Sequence, residues 1–362
     1  MATASTQGVA RYKPDERDQE LLNALQAGLP LERTPFAGIG ERIGMPEAEV
    51  LERTQRLRDG EIIRQISAIF DTRALGYEST LVAAAYPDDQ LFAAASLVGG
   101  HPGVSHNYRR SHHFNLWYTV ATEPGAQMGV AEVVDHLHRE SGAESTRLMP
   151  TLKLFKINVQ LDMTGKKDVA EKVEAKPPPT RGDGVMPTAA DKAAIVILQR
   201  DLPIESRPFD TWAAEAGLDP DEMLAQAQVF VQRNYMRRFA AVLNHRKAGF
   251  GANGMAVWRV PEDRVEEVGM QMAAFRAVSH CYLRPTYEDW PYTLFTMVHA
   301  KTRELCEETI QAIADETGFS GADEHAVLYS TYEFKKIRLV YYTPEYRAWE
   351  ALALSGKPLP TW

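Results

Sequence analysis

The chain is written twice. Residues 29–36 read LPLERTPF and residues 202–209 read LPIESRPF, an offset of 173 from Leu29 to Leu202. Gly76-Tyr77 meets Gly249-Phe250 at the same offset, and VSHNYRR from Val104 meets VSHCYLR from Val278 at 174. A repeat of this period confines the fold to one unit of about half of the 362 residues, made twice. Two joined copies of one unit read as a pseudo-dimer, each copy playing the part of a subunit. Between them, residues 163–188 are rich in Lys, Glu, Pro and Gly and poor in apolar residues, the chemistry of a linker.

Each copy opens helical and then turns mixed. In copy one, Leu21, Leu22 and Leu25 recur at helical spacing, as do Phe36, Ile39 and Ile43. Gly44-Met45-Pro46 breaks the pattern, and Val50, Leu57 and Ile62-Ile63 complete a third apolar face. Helix, short Gly turn, helix predicts a helix-turn-helix. From Leu75 onward the order changes. STLVAAAY (79–86) is strand-like, PDDQLFAAASLVGG suits a helix ending at glycine, and GVSHNYRR and FNLWYTVAT look like strands. GVAEVVDHLHRESG is an amphipathic helix, and STRLMPTLKLFKI begins loosely and ends as a strand. That order, β-α-β-β-α-β, is the ferredoxin-like unit. Copy two repeats it, with helices expected over 262–275 and 302–317.

The fold class is therefore α+β, two tandem copies of a helix-turn-helix domain followed by a ferredoxin-like domain. The expected divisions are 12–72 and 73–162 for copy one, 163–188 for the linker, 189–246 and 247–343 for copy two, and 344–362 for a C-terminal tail.

Composition narrows the function. The formal net charge of −9 suits a small ligand better than a polymeric polyanion, because phosphate neutralisation carries most nonspecific nucleic-acid affinity. The third helix opens PEAEVLE with Glu47, Glu49 and Glu52, and its copy-two counterpart carries Asp219, Asp221 and Glu222. Acids suit a helix N-terminus but sit badly against phosphate. Arg53, Arg56 and Arg58 follow in copy one, but copy two offers Gln226, Gln228 and Gln232 before Arg233. DNA binding is not expected. Cys281 and Cys306 are isolated thiols, so neither a disulfide framework nor a structural zinc site is expected. No stretch is apolar for the length of a membrane span, and the start MATASTQGVARYKPDERD lacks the apolar centre of a signal peptide. A cytoplasmic protein with no membrane partner is expected.

The chemistry concentrates in SHNYRRSHHFNLWY, residues 105–118, which holds three of the ten histidines. Side chains alternate along a strand, so His106, Tyr108 and Arg110 share one face. His280, Tyr282 and Arg284 repeat that face in copy two, while Ser105, Asn107 and Arg109 are replaced by Ser279, Cys281 and Leu283. Three readings are open: a polar outer sheet face, a zinc site, and a grip on a planar polyanion. Adjacent His112 and His113 point apart on a strand and have no third ligand spaced to join them, which counts against zinc. Arg forks grip carboxylates, His adjusts its charge near neutral pH, and rings supply flat apolar area. Arg109, Arg110, His113, Asn115, Trp117 and Tyr118 offer these in copy one, and Tyr287, Trp290 and Tyr292 in copy two. Lys335, Lys336 and Arg338 on the last strand add positive charge.

The two-domain unit, with DERDQELLNAL and VLERTQRLRDGEII, resembles the Lrp/AsnC family of amino-acid-responsive regulators, over each half almost end to end. Those regulators carry Gly and Asp at the turn between the central strands, where their effector binds. Here SHHFN and PTYEDWPY stand at that turn. The longer motifs HNYRRSHHFNLWYT and HCYLRPTYEDWPYTLFTMVH, with the trailing YYTPEYRAWEAL, resemble the first and second subunits of the siroheme decarboxylases, fused in that order. One departure is Gly60, because the family's turn glycine falls one place later, at Glu61 here.

The resemblance implies removal of two acetate carboxyls of siroheme as CO2, giving 12,18-didecarboxysiroheme on a route to haem d1 or haem. It implies siroheme as the partner, with no cofactor or protein metal site beyond the iron that siroheme carries. On that footing Arg110 and Arg284 anchor carboxylates, and His106, His280 and His112 are candidate proton donors. Tyr108 and Tyr282 donate or orient, and His101 or His113 is a candidate to approach the iron. PTYEDWPY adds rings beside the second triad, which favours copy two as the ligand-holding copy. The alternatives from other classes are a regulator with a tetrapyrrole effector and a haem carrier without chemistry. Exposed module edges would let the fused chain form a homodimer.

Overall fold

The structure is a computed structural model that describes residues 12–157, 171–173, 184–244 and 252–362. Most of the expected linker, the Gly249-Phe250 echo and the expected 246/247 boundary lie outside the described residues. Copy one comprises α1 (Glu16–Ala27), α2 (Pro35–Ile43), α3 (Glu47–Asp59), β1 (Ile63–Phe70), β2 (Glu78–Ala85), α4 (Leu91–Gly99), β3 (Val104–Arg110), β4 (Leu116–Thr122), α5 (Val130–Ser141), β5 (Ser145–Met149) and β6 (Lys153–Ile157). Copy two comprises α6 (Ala189–Leu198), α7 (Pro208–Ala216), α8 (Pro220–Gln232), β7 (Met236–Leu243), β8 (Ala252–Trp258), α9 (Val265–Ala274), β9 (Val278–Leu283), β10 (Leu294–Ala300), α10 (Arg303–Thr317) and β11 (His325–Lys336). A last helix, α11 (Pro344–Leu354), lies within the expected tail.

The chain forms two compact units, and neither is one half of it. The first gathers Met1–Ile69, Ile197–Gln232 and Met236–Ala248, so it holds helix-turn-helix segments from both copies. Local chemistry starts these helices in similar ways. Asp15 caps α1, accepting from Asp18 N while Asp18 accepts from Asp15 N. Pro35 and Pro208 open α2 and α7, and left-handed Gly44 and Gly217 close them. Strand β1 then pairs with β7 of the other copy. Ile62 and Ile63 are thus not part of a third helical face. Helix α3 stops at Asp59, Glu61 turns the chain at a φ of +54°, and Ile63 begins a strand. Asn234 occupies the equivalent turn of copy two at +57°.

The arginines of α3 are committed within this unit. Arg53 pairs with Asp15, Asp18 and Glu49, Arg56 with Glu52, and Arg58 with Asp201.

The second unit contains the ferredoxin-like parts of both copies, Phe70–Val196, Arg233–Tyr235 and Gly249–Trp362. Its nine strands run β5-β2-β4-β3-β11-β8-β10-β9-β6. Strand β11 serves both copies: residues 325–329 pair with β8, and Ser330 onward pairs with β3 of copy one. Copy one mirrors this with two strands. Strand β5 pairs with β2 of its own copy, and β6 crosses to β9 of copy two. Pro150 separates them, since it offers no N–H to a ladder. STRLM is therefore ordered strand where a loose start was expected. Strands β5 and β6, at the two ends of the strand order, are consecutive in the chain and joined through Pro150, Thr151 and Leu152.

Helices α4 and α5 cover copy one over a core that includes Leu91, Val98, Val134 and Leu137, completed by Trp349 and Ala353 of α11. Helices α9 and α10 cover copy two around Trp258, Met272 and Ile313. A third core lies between the two copies' strands and includes Phe114, Trp117 and Met149 with Met255, Trp290, Phe295 and Leu328. Burial of this apolar area on both faces of the strands is the main stabilising term.

Candidate active site

The repeated face turns inward. Directly opposed residues of an antiparallel pair share a face. Tyr108 opposes Trp117 and Tyr282 opposes Phe295, and both partners belong to the core between the copies. The row His106, Tyr108, Arg110 therefore lines the interior of the second unit, not an outer surface. It is about 13 Å long at the rise of a strand. Its members touch: the His106 and Tyr108 rings lie 6.1 Å apart, and the Arg110 guanidinium sits 5.7 Å from the Tyr108 ring centre. In copy two His280 stacks on Tyr282 at 5.8 Å, and Arg284 lies 4.8 Å over the same ring. Each histidine Nδ1 faces the preceding serine hydroxyl, at 3.0 Å for Ser105 and 2.8 Å for Ser279.

Both arginines reach across the copies. Arg110 Nη1 donates to Leu328 O and Arg284 Nη1 to Met149 O. Each Nε is buried without an acceptor among the described residues. Burial lowers both guanidinium pKa values to about 10.

The strand exchange makes the two faces chemically unequal. In copy one, β11 places Lys336 opposite His106 and Glu333 opposite Tyr108. In copy two, β6 places Ile157 opposite His280 and Leu154 opposite Tyr282. The copy-one row thus has charged neighbours, and the copy-two row has apolar ones.

A cavity of about 640 Å³ opens at the Arg110 end of β3, lined by Tyr86, Asp88, Arg109, Arg110, Ser111, His112, His113, Asn115 and Thr331. Its size is within the range of small-molecule sites. Arg109 is held by Asp88 at 2.8 Å, and exposed His113 stands at the rim. Half-buried His112 accepts from Phe114 N through Nδ1 at 3.0 Å. Burial, then the neighbouring His113, lowers its pKa. A second cavity of about 470 Å³ is lined by Thr146, Arg147, Leu148, Tyr287, Glu288 and Asp289. Arg147 and Asp289 close on each other there at 2.6 Å, and Tyr287 donates its hydroxyl to Leu148 O.

Several expected contacts lie elsewhere. Trp117 and Trp290 are buried in the central core, and Tyr118 faces the α4/α5 core, so none offers an open ring to a ligand. Half-buried Tyr292 packs on Trp290 at 5.1 Å. The Asn115 amide is used on Tyr86, donating to its carbonyl and accepting from its N–H. His101 is fully buried under Tyr346 and Trp349, and burial with nearby Lys335 lowers its pKa to about 3, which leaves it neutral packing. Lys335 points to the helix side, donating to Gly99 O at 2.6 Å and His101 O at 3.3 Å under the Trp362 ring. A bulge between Glu333 and Lys335 turns it away while Lys336 keeps the inner face. Arg338 follows the end of β11 and is half-buried.

Residue reasoning passed over Lys156, Glu333, Arg147 and Asp88. Lys156 is the counterpart of Lys335: it is buried, and its Nζ donates to Phe275 O at the end of α9. LFKI and EFKKI echo one another from Phe155 to Phe334, which was a usable signal. Pro87-Asp88-Asp89 is echoed by Pro261-Glu262-Asp263 at an offset of 174, a usable signal for Asp88, whereas nothing in the repeat marks Arg147.

The fold and the inward face define the class: ligand-binding domains of the AsnC type carried with helix-turn-helix domains. The family model described as an AsnC-like ligand binding domain matches residues 74–156 and 247–335. The siroheme decarboxylase NirDL-like HTH domain matches residues 18–64 and 191–237. The siroheme decarboxylase of Hydrogenobacter thermophilus is 36% identical over 333 residues, covering 91% of this chain and 96% of that protein. The siroheme decarboxylase NirDL subunit of Paracoccus pantotrophus is 34% identical, covering 89% and 96%. The crystal structure of the siroheme decarboxylase NirDL in co-complex with an iron-uroporphyrin III analogue superposes with a TM-score of 0.71 at 32% identity, over 93% of this chain and 98% of that one. The chain belongs to the siroheme decarboxylase family.

Proposed function

We propose that this chain removes two acetate carboxyls of siroheme as CO2, giving 12,18-didecarboxysiroheme on a route to haem d1 or haem, and that copy one holds the reacting carboxylate. The observation that carries the placement is the charged flank of the copy-one row, where Lys336 opposes His106 and Arg109 and Arg110 line the adjoining cavity. A macrocycle ringed with carboxylates needs cations around it, and copy two offers Ile157 and Leu154 at the corresponding places. This moves the site from copy two, where the loop aromatics pointed, because Trp290 is buried in the core.

In the reaction the bond from the acetate CH2 to its carboxylate breaks. CO2 leaves, the electron pair stays on the carbon attached to the macrocycle, and a proton completes a methyl group. The conjugated ring of the substrate takes up that charge, so we propose no cofactor beyond the iron that siroheme brings. The chain's own residues hold, desolvate and protonate. Arg110 and Lys336 hold carboxylates that stay, and the enclosed face strips water from the one that leaves. His106 supplies the proton and Ser105 orients its ring through Nδ1. Tyr108 orients from the middle of the row, and His112 is the second donor, at the cavity end.

Anaerobic incubation with siroheme and mass analysis of the pigment tests this reading. Loss of two CO2 units is expected. Unchanged pigment that stays bound to the protein would make the chain a carrier and overturn the reading.

A further inference from the structure

We propose that Trp290, a copy-two residue, is a positioning residue for His112 of copy one, so that the copy-one cavity is completed by the other copy. The inference rests on the assignment of that cavity to siroheme. The loop carrying Trp290 follows β9 and is closed by reciprocal backbone bonds between Tyr287 and Trp290, at 2.8 and 3.0 Å. This closure drives the indole into the interior, where it is fully buried. There it meets His112 edge-on at 5.2 Å and Phe114 at 6.0 Å. His112 lies nearly parallel to Phe114, 9° between planes at 6.1 Å. Phe114 N donates to His112 Nδ1, which leaves Nε2 as the nitrogen that can carry and present a proton. Three contacts thus hold the imidazole: a backbone N–H, the Phe114 ring and the indole.

The indole contributes shape and not hydrogen bonding. Trp117 Nε1 donates to Phe114 O at 2.7 Å, whereas Trp290 Nε1 is buried with no acceptor among the described residues. A buried N–H left without a partner is destabilising by about 1–3 kcal/mol. A phenyl ring at 290 would keep the edge-on contact and remove the unpaired donor. The charged and titratable groups around His112 are Tyr86, Asp88, Arg109, Arg110 and His113 in the cavity, with Arg147 over Phe114 and Asp289 near His113.

The test compares Trp290→Phe and Trp290→Leu in the full chain, reading siroheme turnover and the His112 titration by NMR. Trp290→Phe is expected to fold and to keep kcat. Trp290→Leu is expected to lower kcat by about tenfold or more while KM moves less than about threefold. The His112 titration should then rise toward the ordinary imidazole value. An unchanged kcat and titration in Trp290→Leu overturns the proposal. Equal losses in both variants alongside a lowered Tm also overturn it, because they mark a core residue only. Failure of the unmodified chain to convert siroheme would instead sink the functional reading, and the His112 titration separates the two.

Discussion

Arg110 donates to the carbonyl oxygen of Leu328 at 2.7 Å, tying copy one to the last strand of copy two. Arg284 makes the matching bond to Met149 in the reverse direction. Each guanidinium is therefore a structural tie as well as a candidate carboxylate anchor.

The two roles separate by variant. Removing either side chain deletes a buried charged hydrogen bond between the copies, which costs about 1.5–3 kcal/mol. Arg110→Ala and Arg284→Ala are expected to lower Tm by similar amounts. Siroheme turnover per folded protein is expected to collapse in Arg110→Ala and to persist in Arg284→Ala. Equal turnover in the two would count against the copy-one site.

Glu61 holds a left-handed conformation at φ +54°, which a residue with a Cβ adopts at a cost of about 1–2 kcal/mol. Asn234 fills the equivalent turn with a residue type that tolerates it. Glu61→Gly is expected to raise stability by about 1 kcal/mol with activity unchanged. Thermal unfolding reads it, and a fall in Tm would show that the glutamate's own contacts outweigh the backbone strain.

Lys156 and Lys335 give the stability a pH slope. Burial lowers both to about 8 from the ordinary 10.5. Below about pH 8 each is charged in both states, and burying that charge opposes folding. Between about 8 and 10 the unfolded chain binds more protons than the native one, so stability rises with pH. From about pH 9 the thiols Cys281 and Cys306, raised by burial, oppose this rise, and above about pH 10 buried tyrosines such as Tyr77 and Tyr342 add to the reversal. Denaturant midpoints should rise from about pH 7 to about pH 8.5 in the parent and stay level in a Lys156→Met, Lys335→Met double variant, a window that lies below the titration of the buried thiols Cys281 and Cys306. A double variant that keeps the full slope contradicts this assignment.

What the sequence shows and what it hides follow different physics here. The repeat, the alternation of His106, Tyr108 and Arg110, and the helix punctuation by Pro35 and Gly44 are local and legible. The destination of the last strands is not, because an unbroken β11 and a Pro150-broken β5/β6 look alike until pairing is known. That exchange decides that Lys336 stands beside His106 and Ile157 beside His280. Burial was equally hidden. Trp117, Trp290 and His101 read as ligand surface by residue type, yet each is packed inside. One bulge reverses Lys335 to the helix side, and no single-residue pattern announces it.

The α3 arginines bear on nucleic acid. Arg53, Arg56 and Arg58 already face carboxylates, and Arg53 is held well above its ordinary pKa by Asp15, Glu49 and Asp18. Gel-shift against the chain's own promoter region at moderate salt is expected to show no sequence-specific retention. Tight retention would instead favour a regulator.

The account turns on the inequality of the two histidines, and paired variants measure it most directly. With anaerobic siroheme turnover as readout, His106→Ala is expected to fall by about a hundredfold or more, the worth of a positioned proton donor, while His280→Ala stays within about threefold of the parent. The reverse order, or equal losses in both, would contradict the placement of the reaction on the copy-one face.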